Sequence, residues 1–283
     1  MRARFVSPYT DYGFKKIFGE EGSRPLLKDF LNELLPPHHH IADLSFQPSE
    51  RSAETDQSRK AIFDIYCRSA SGERFIVEMQ QAKQDYFKER MVFYSTFPTR
   101  EQAQRGAWNF NLAAVYCIGL LDFVFDPEDG EQRVLTRVQL KDDLNTVFYD
   151  KLNYIYLQMP LFTKGEHELS NHFEKWLYFL KYLENFDEIP SILNEPVFLE
   201  GFKLAEIAHY NEAELAAYEQ SLKVYRDLKN VIDSAEKKGH KQGREEGREE
   251  GREEGREEGL ALALARAMAS GMSEAEARRL LGL

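Results

Sequence analysis

Apolar positions near the start of the chain recur at helical spacing. Leu26, Leu27, Phe30, Leu31, Leu34 and Leu35 fall on one stripe, which predicts a core-facing helix over 24–35, opened by Ser23-Arg24-Pro25 and stopped by Pro36-Pro37. A shorter helix is expected over 12–18, behind the Thr10-Asp11 start. From residue 41 the period changes to two. Strands are predicted at 41–46, 61–68, 74–80, 113–121, 133–140 and 152–157, interrupted by one helix over about 86–105. After Pro160 the helical period returns, with amphipathic segments at 166–184, 197–209 and from Glu212 onward. Two helices, strands, one helix, more strands and a helical second half make an α/β, or α+β, pattern.

The segment from Ile62 to Gln80 alternates on both sides of a turn. If Ser69 and Glu73 flank a three-residue loop, Gly72 falls where such loops take a left-handed residue, and strand positions pair so that their numbers sum to 142. Phe63, Ile65 and Cys67 then share one apolar face with Met79, Val77 and Phe75. The other face sets Asp64 directly opposite Glu78, with Gln80 on the same side and Tyr66 beside Ile76. Opposed carboxylates have Cβ atoms roughly 4.5–5.5 Å apart and repel. Solvation or pairing with basic side chains is the ordinary resolution of such a pair; the functional one is a hard-cation site, since Mg²⁺ takes one or two carboxylates with waters and phosphate oxygens.

The 283 residues are 42% hydrophobic and 30% charged, enough for one domain of about 150–250 residues and an appendage, and unlike a membrane protein or a disordered chain. No export signal is apparent, so a cytoplasmic location is expected, with Cys67 and Cys117 as buried thiols. His38, His39 and His40 follow two prolines and read as a solvated turn, because neighbours in a loop point apart. Trp108, Tyr154, Tyr156, Trp176 and Tyr178 read as core packing. The net charge is -11, and residues 235–283 hold 10 Lys+Arg against 11 Asp+Glu, so the acidity lies in the preceding body. That opposes indiscriminate phosphate binding. Lys83, Lys88, Arg90, Arg100 and Arg105 make residues 81–105 the best local phosphate-contacting surface.

Four copies of Gly-Arg-Glu-Glu run from Gly243 to Glu258. Each glycine costs roughly 1 kcal/mol in a helix, and a period of four drifts about 40° per repeat, so the glycine stripe winds around the helix and forms no heptad seam. Close helix approach along that stripe would allow a homo-oligomer; a solvated charged stalk is the equal alternative. Beyond it a helix over 260–269 is broken by Gly271, and Ser273-Glu-Ala-Glu276 is a capping box that opens a last helix to Leu281.

Asp64, a hairpin and Glu78-Met79-Gln80 together resemble the active site of the PD-(D/E)XK nuclease superfamily. More narrowly, Thr10-Asp11-Tyr-Gly-Phe14-Lys15-Lys-Ile-Phe-Gly19, the Glu-Met-Gln triplet and the Gly-Arg-Glu-Glu tail resemble the Rpn recombination-promoting nucleases, also described as transposases of that superfamily. The resemblance implies a restriction-endonuclease-like core, a mixed sheet flanked by helices. It implies Mg²⁺-dependent hydrolysis of DNA phosphodiesters, with Mn²⁺ as an alternative ion, in recombination, mobile-element biology or defence. Asp64, Glu78 and Gln80 would be the catalytic residues, with Asp64, Glu78 and a carbonyl near Met79 on the metal. Asp11 and Lys15 in the first helix, and Arg90 and Tyr94 four apart on one helical face, would support the site or touch substrate; a helix cap accounts equally for Asp11 and packing for Tyr94. Two positions depart from the superfamily motif. Phe63 precedes Asp64 where proline is expected, and Gln80 stands at the lysine position, where it orients groups by hydrogen bonds and supplies no charge.

The chain thus divides, as an expectation, into a nuclease-like core over 1–165, a helical extension packed on it over 166–234, a repeat helix over 235–259 and a small helical hairpin over 260–283. DNA is the expected partner. No membrane association is expected and, without a Walker-type loop, no nucleotide cofactor. Two other readings compete: an inactive nuclease-fold scaffold that binds nucleic acid or protein, and an adaptor that oligomerises through its C-terminal stalk.

Overall fold

Alternation over residues 44–80 builds the first three strands of a six-stranded sheet. In the computed structural model, which describes residues 3–36, 39–51, 61–125 and 132–283, the order of elements is α1 (Asp11–Phe18), α2 (Arg24–Leu34), β1 (Leu44–Phe46), β2 (Glu50–Arg51), β3 (Ala61–Ile62), β4 (Ile65–Ser69), β5 (Arg74–Gln80), α3 (Phe87–Arg100), β6 (Val115–Leu121), β7 (Leu135–Lys141), β8 (Val147–Gln158), α4 (His172–Tyr182), α5 (Pro196–Ala205), α6 (Glu212–Ala269) and α7 (Glu274–Leu281). Two compact units meet in sequence at Asp227 and Leu228.

In the first unit the strand order is β1-β4-β5-β6-β8-β7. The strands β1, β4 and β5 run antiparallel, β5, β6 and β8 run parallel, and β7 returns antiparallel at the edge. Parallel neighbours need a long crossover; α3 supplies it between β5 and β6, and the edge strand β7 lies in the one between β6 and β8. The mixed sheet flanked by helices is the restriction-endonuclease-like α/β architecture. On one face the stripe of α2 packs with α1, α4 and α5 around Trp176, which is fully buried and touches the rings of Phe18, Phe30 and Phe198 at 4.9–5.7 Å. The opposite face is covered by α3 through Phe87 and Met91, over Tyr66, Ile76, Val115, Cys117, Tyr154 and Tyr156. The cysteines are free and buried, and burial pushes the Cys67 thiol up to about 12.

The hairpin register is the expected one, with Ile65↔Val77, Tyr66↔Ile76, Cys67↔Phe75 and Arg68↔Arg74, and Gly72 has φ +104° in the turn. Continuity of the first strand is corrected. Ala61 and Ile62 pair with Arg51 and Glu50, and the chain bends at Asp64 before β4 begins. Phe63 therefore leaves the face of Ile65 and Cys67 and packs on the α3 side, against Tyr66, Tyr94 and Phe97.

Other boundaries move for local reasons. The central helix starts after Tyr86, which sits at φ 60°, and ends at Arg100 just past Pro98, so 101–105 is not helical. Trp108 lies in the following loop against Phe110, at 4.6 Å between ring centroids, and is not in either core cluster. The last parallel strand begins at Val147, where the edge strand lengthens its ladder. His39 is half-buried against Tyr116 and is no solvated turn residue, whereas His40 is exposed; Pro37 and His38 lie outside the described residues.

The N-cap of α1 is Thr10, whose hydroxyl accepts from Gly13 N–H at 3.0 Å and donates to Ser7 O at 2.8 Å, so Asp11 is the first helical residue and not the cap. Thr10→Ala is expected to cost about 1 kcal/mol, read as a fall of roughly 2–4 °C in Tm for a body of this size.

In the second unit the helix stays continuous through the glycine repeats, and no atom outside the local backbone lies within 4 Å of where a Cβ would stand on Gly243, Gly247, Gly251, Gly255 or Gly259. It stops where expected. Gly271 adopts φ +99°, and Ser273 and Glu276 form the capping box of α7, with Ser273 N–H donating to Glu276 at 3.0 Å. No helix among the described residues is long and apolar enough to cross a membrane.

Candidate active site

The ladder between β4 and β5 ends at Ile65↔Val77, so Glu78, Met79 and Gln80 extend beyond it and face the bend at Asp64. The bend has a structural consequence. It turns the Asp64 N–H to Glu78 Oε1 at 3.2 Å and the Asp64 carboxylate to the Met79 N–H at 2.8 Å. Each acid thus binds the backbone of the other's strand, and the two carboxylates are brought together by a reciprocal side-chain-to-backbone lock in place of a ladder pair. The even residues of β5 direct their backbone groups to the β6 side, as Arg74 N–H to Ala114 O and Gln80 O from Asp122 N–H show, both at 2.9 Å. Backbone alternation then points Met79 N–H and C=O to the Asp64 side.

Gln80 continues the same face. Its amide N–H approaches Glu78 Oε2 at 3.5 Å, and its carbonyl oxygen accepts from Arg90 Nη2. Arg90 lies on α3, where its guanidinium sits 5.7 Å from the Phe87 ring centroid and 5.9 Å from that of Tyr94, and Nη1 donates to Gln84 at 2.5 Å. Its Nε is buried without a hydrogen-bond partner among the described residues. From α1, Lys15 Nζ pairs with Asp11 at 2.6 Å.

Glu78 is 3% exposed, Gln80 is buried and Asp64 is half-buried. Burial, and next the charge of Asp64, push the Glu78 carboxyl well above its ordinary range, although the Asp64 N–H and the charges of Arg90 and Lys15 oppose the shift. Burial raises Asp64 too, against the Met79 N–H and Lys15, while Asp11 adds to the rise. Burial also raises the Tyr94 hydroxyl, with Glu78 as the second cause.

A carboxyl raised on folding contributes stability that is fully present below its unfolded value and is lost as pH rises through the folded one. With EDTA present, Tm is expected to fall as pH rises above the ordinary glutamate value of 4.5. Glu78→Gln keeps the acceptor for Asp64 and is expected to flatten that slope and raise Tm at alkaline pH by about 2–4 °C, the equivalent of roughly 1 kcal/mol of relieved repulsion. An unchanged slope would remove Glu78 as its source.

The structure brings together Asp64, Glu78, Met79, Gln80, Arg90 and Tyr94, with Asp11 and Lys15 close enough to act on Asp64 electrostatically. Of the basic side chains over 81–105, Arg90 reaches the site. Lys83 and Lys88 line a depression of about 240 Å³ with the exposed Tyr86, and Arg100 and Arg105 are exposed elsewhere on the segment. Two polar neighbours escaped the sequence reading. Gln84 holds Arg90 from a loop, where no periodicity marks it. Asp122 follows β6, has its N–H on Gln80 and accepts from Tyr225 OH at 2.8 Å. Its one sequence signal is position: it directly follows the apolar run of β6.

No group of three or more His, Cys, Asp or Glu side chains is gathered for a metal among the described residues. Two carboxylates and a backbone carbonyl nevertheless fit a hard cation that keeps most of its waters, and the mutual repulsion of the pair is what such an ion removes.

The fold is of the PD-(D/E)XK restriction-endonuclease-like α/β class. A family model described as PD-(D/E)XK nuclease family transposase matches residues 8–235, and the chain belongs to that family. Membership supports a nuclease or transposase role, with DNA as the substrate the family suggests; nucleases of this kind generally use divalent metals. Comparison with curated proteins and with solved structures gives no match.

Proposed function

We propose that the chain is a Mg²⁺-dependent DNA endonuclease that hydrolyses phosphodiester bonds, with Mn²⁺ able to replace Mg²⁺. The observation that carries this reading is the lock between Asp64 and Glu78, which holds two repelling carboxylates side by side at the end of β5. Random surface acids relax apart into water. These are tied to each other's backbone and one is buried, an arrangement whose cost is offset when a cation joins them.

Asp64, Glu78 and the Met79 carbonyl would hold the ion. When bound, the ion supplies Lewis-acid polarisation of a phosphoryl oxygen, a water of lowered pKa and neutralisation of developing charge. The protein groups do the rest. Gln80 links Glu78 to Arg90 and fixes the orientation of both. Arg90, clamped between Phe87 and Tyr94, presents a fixed positive charge beside the carboxylates, where preorganised charge lowers a barrier without reorganisation. Lys15 adds a second cation, held in place by Asp11. This local positive charge counters the acidity of the body for an approaching phosphate.

Conversion of supercoiled plasmid to nicked or linear DNA at low salt tests the reading. Cleavage is expected with Mg²⁺ or Mn²⁺ and none with EDTA. Full-length protein that leaves the plasmid intact with every divalent ion would overturn it.

A further inference from the structure

The other end of the sheet carries a polar cleft that the proposed reaction does not use. The β4–β5 turn, the segments around 101–104 and 111–114 and the start of β8 enclose about 570 Å³, within the size range of small-ligand sites. Arg68 and Arg74 line it, and they are directly opposed in register across the strand pair. Like charges in that position destabilise a hairpin unless something intervenes. Lys151 enters from β8 and is held by its Nζ on Leu112 O at 2.9 Å and Asn111 Oδ1 at 3.4 Å.

Neither arginine nor Lys151 forms an ion pair with a described residue, although three acids share the lining. Glu73 is taken by the hydroxyls of Ser71, at 2.6 Å, and Ser69, and Glu101 by Tyr66 OH at 2.9 Å. Asp150 is the third. Arg74 donates to Gly72 O at 3.0 Å and keeps the rest of its planar fork open. Hydroxyl groups thus occupy two of the acids, while three cations converge with their charge uncompensated by contact.

We propose that this cleft is a second phosphate-binding site, in which a phosphate group bridges Arg68 and Arg74 with Lys151 as a third cation. Fork-to-oxygen bonds from two guanidinium groups match phosphate geometry, and a bound anion removes the repulsion between them. The phosphate belongs to a nucleic-acid strand or to a free nucleotide. Arg74 and Glu78 are four residues apart on one strand, about 13 Å, with the buried Ile76 and the covering helix α3 between them.

Binding measured in EDTA tests this independently of hydrolysis. The probes are a short fluorescent oligonucleotide followed by anisotropy and a nucleoside diphosphate followed by calorimetry. The wild type is expected to bind at least one. Arg68→Ala/Arg74→Ala is expected to weaken that binding by about tenfold or more and to lower the salt slope for the oligonucleotide by about 2. Arg68→Gln, at an exposed position, should give a smaller loss and serves if the double variant does not fold. Loss confined to the oligonucleotide makes the cleft a strand contact, and loss confined to the diphosphate makes it a nucleotide site. A wild type that binds neither probe, or folded variants that bind both as the wild type does, overturns the proposal, whatever the plasmid assay shows.

Discussion

Asp64→Ala and Glu78→Ala are each expected to reduce plasmid cleavage by at least about 10³-fold, on the order of 4 kcal/mol of transition-state stabilisation, with the fold intact. Each carboxylate would be half of the protein's charge on the metal, and neither neighbour can replace it, since Gln80 has no charge and Asp11 is engaged with Lys15. Folding should survive because each substitution removes one member of a repelling pair. The backbone N–H left without its acceptor costs about 1 kcal/mol, which the relieved repulsion offsets in part. The checks are cleavage rate beside far-UV circular dichroism and Tm. A folded Asp64→Ala protein that cleaves at the wild-type rate would sink the assignment and move attention to Asp11 and Asp122.

The largest effect on stability is expected from the smallest substitution. Gly13→Ala places a methyl group 2.1 Å from Ser7 O and 2.8 Å from Thr10 Oγ1. The obstacle is backbone, which cannot rotate aside, and it is the carbonyl that receives the capping hydroxyl. A loss of about 3 kcal/mol or more is expected, a fall of roughly 6–12 °C in Tm. Gly22→Ala, with open space around its added Cβ, is the control and should change little. If both variants melt together with the wild type, the close approach at the start of α1 is not what requires glycine. This explains one letter of the Thr10-Asp11-Tyr12-Gly13 run as a matter of space and not of chemistry.

The same run shows where one-dimensional reasoning stops. Thr10 and Asp11 are both good caps by residue type, and only the direction of the entering chain, with Ser7 O beneath Thr10, decided for Thr10. The hairpin is similar. Its register was legible because Gly72 marks the turn and the two strands alternate, yet the break at Asp64 was not, because Ala61 and Ile62 look like two more residues of the same strand. Their pairing with Arg51 and Glu50 is a long-range choice, and it sends Phe63 to the opposite face. Trp108 read as core packing from the spacing of the aromatics, but a loop set it against Phe110.

Arg90 and Tyr94 could be placed on one helical face from their spacing alone. That this face comes near Glu78 depends on α3 packing back across the sheet, and Arg90 there meets both Gln80 and the loop residue Gln84.

The sequence by itself determined the periodic elements, the turn at Gly72, the capping box at Ser273, the stop at Gly271 and the residue types of the acidic site, because each of these is written in neighbours a few positions apart. Tertiary structure alone decided how Asp64 meets Glu78, that Arg90 and Lys15 lie near them, and that Arg68 and Arg74 open on a cleft while Glu73 and Glu101 turn to hydroxyls. These depend on which strands lie side by side and on what burial does to charge. Both are properties of contacts between residues far apart in the chain, and no local pattern encodes them.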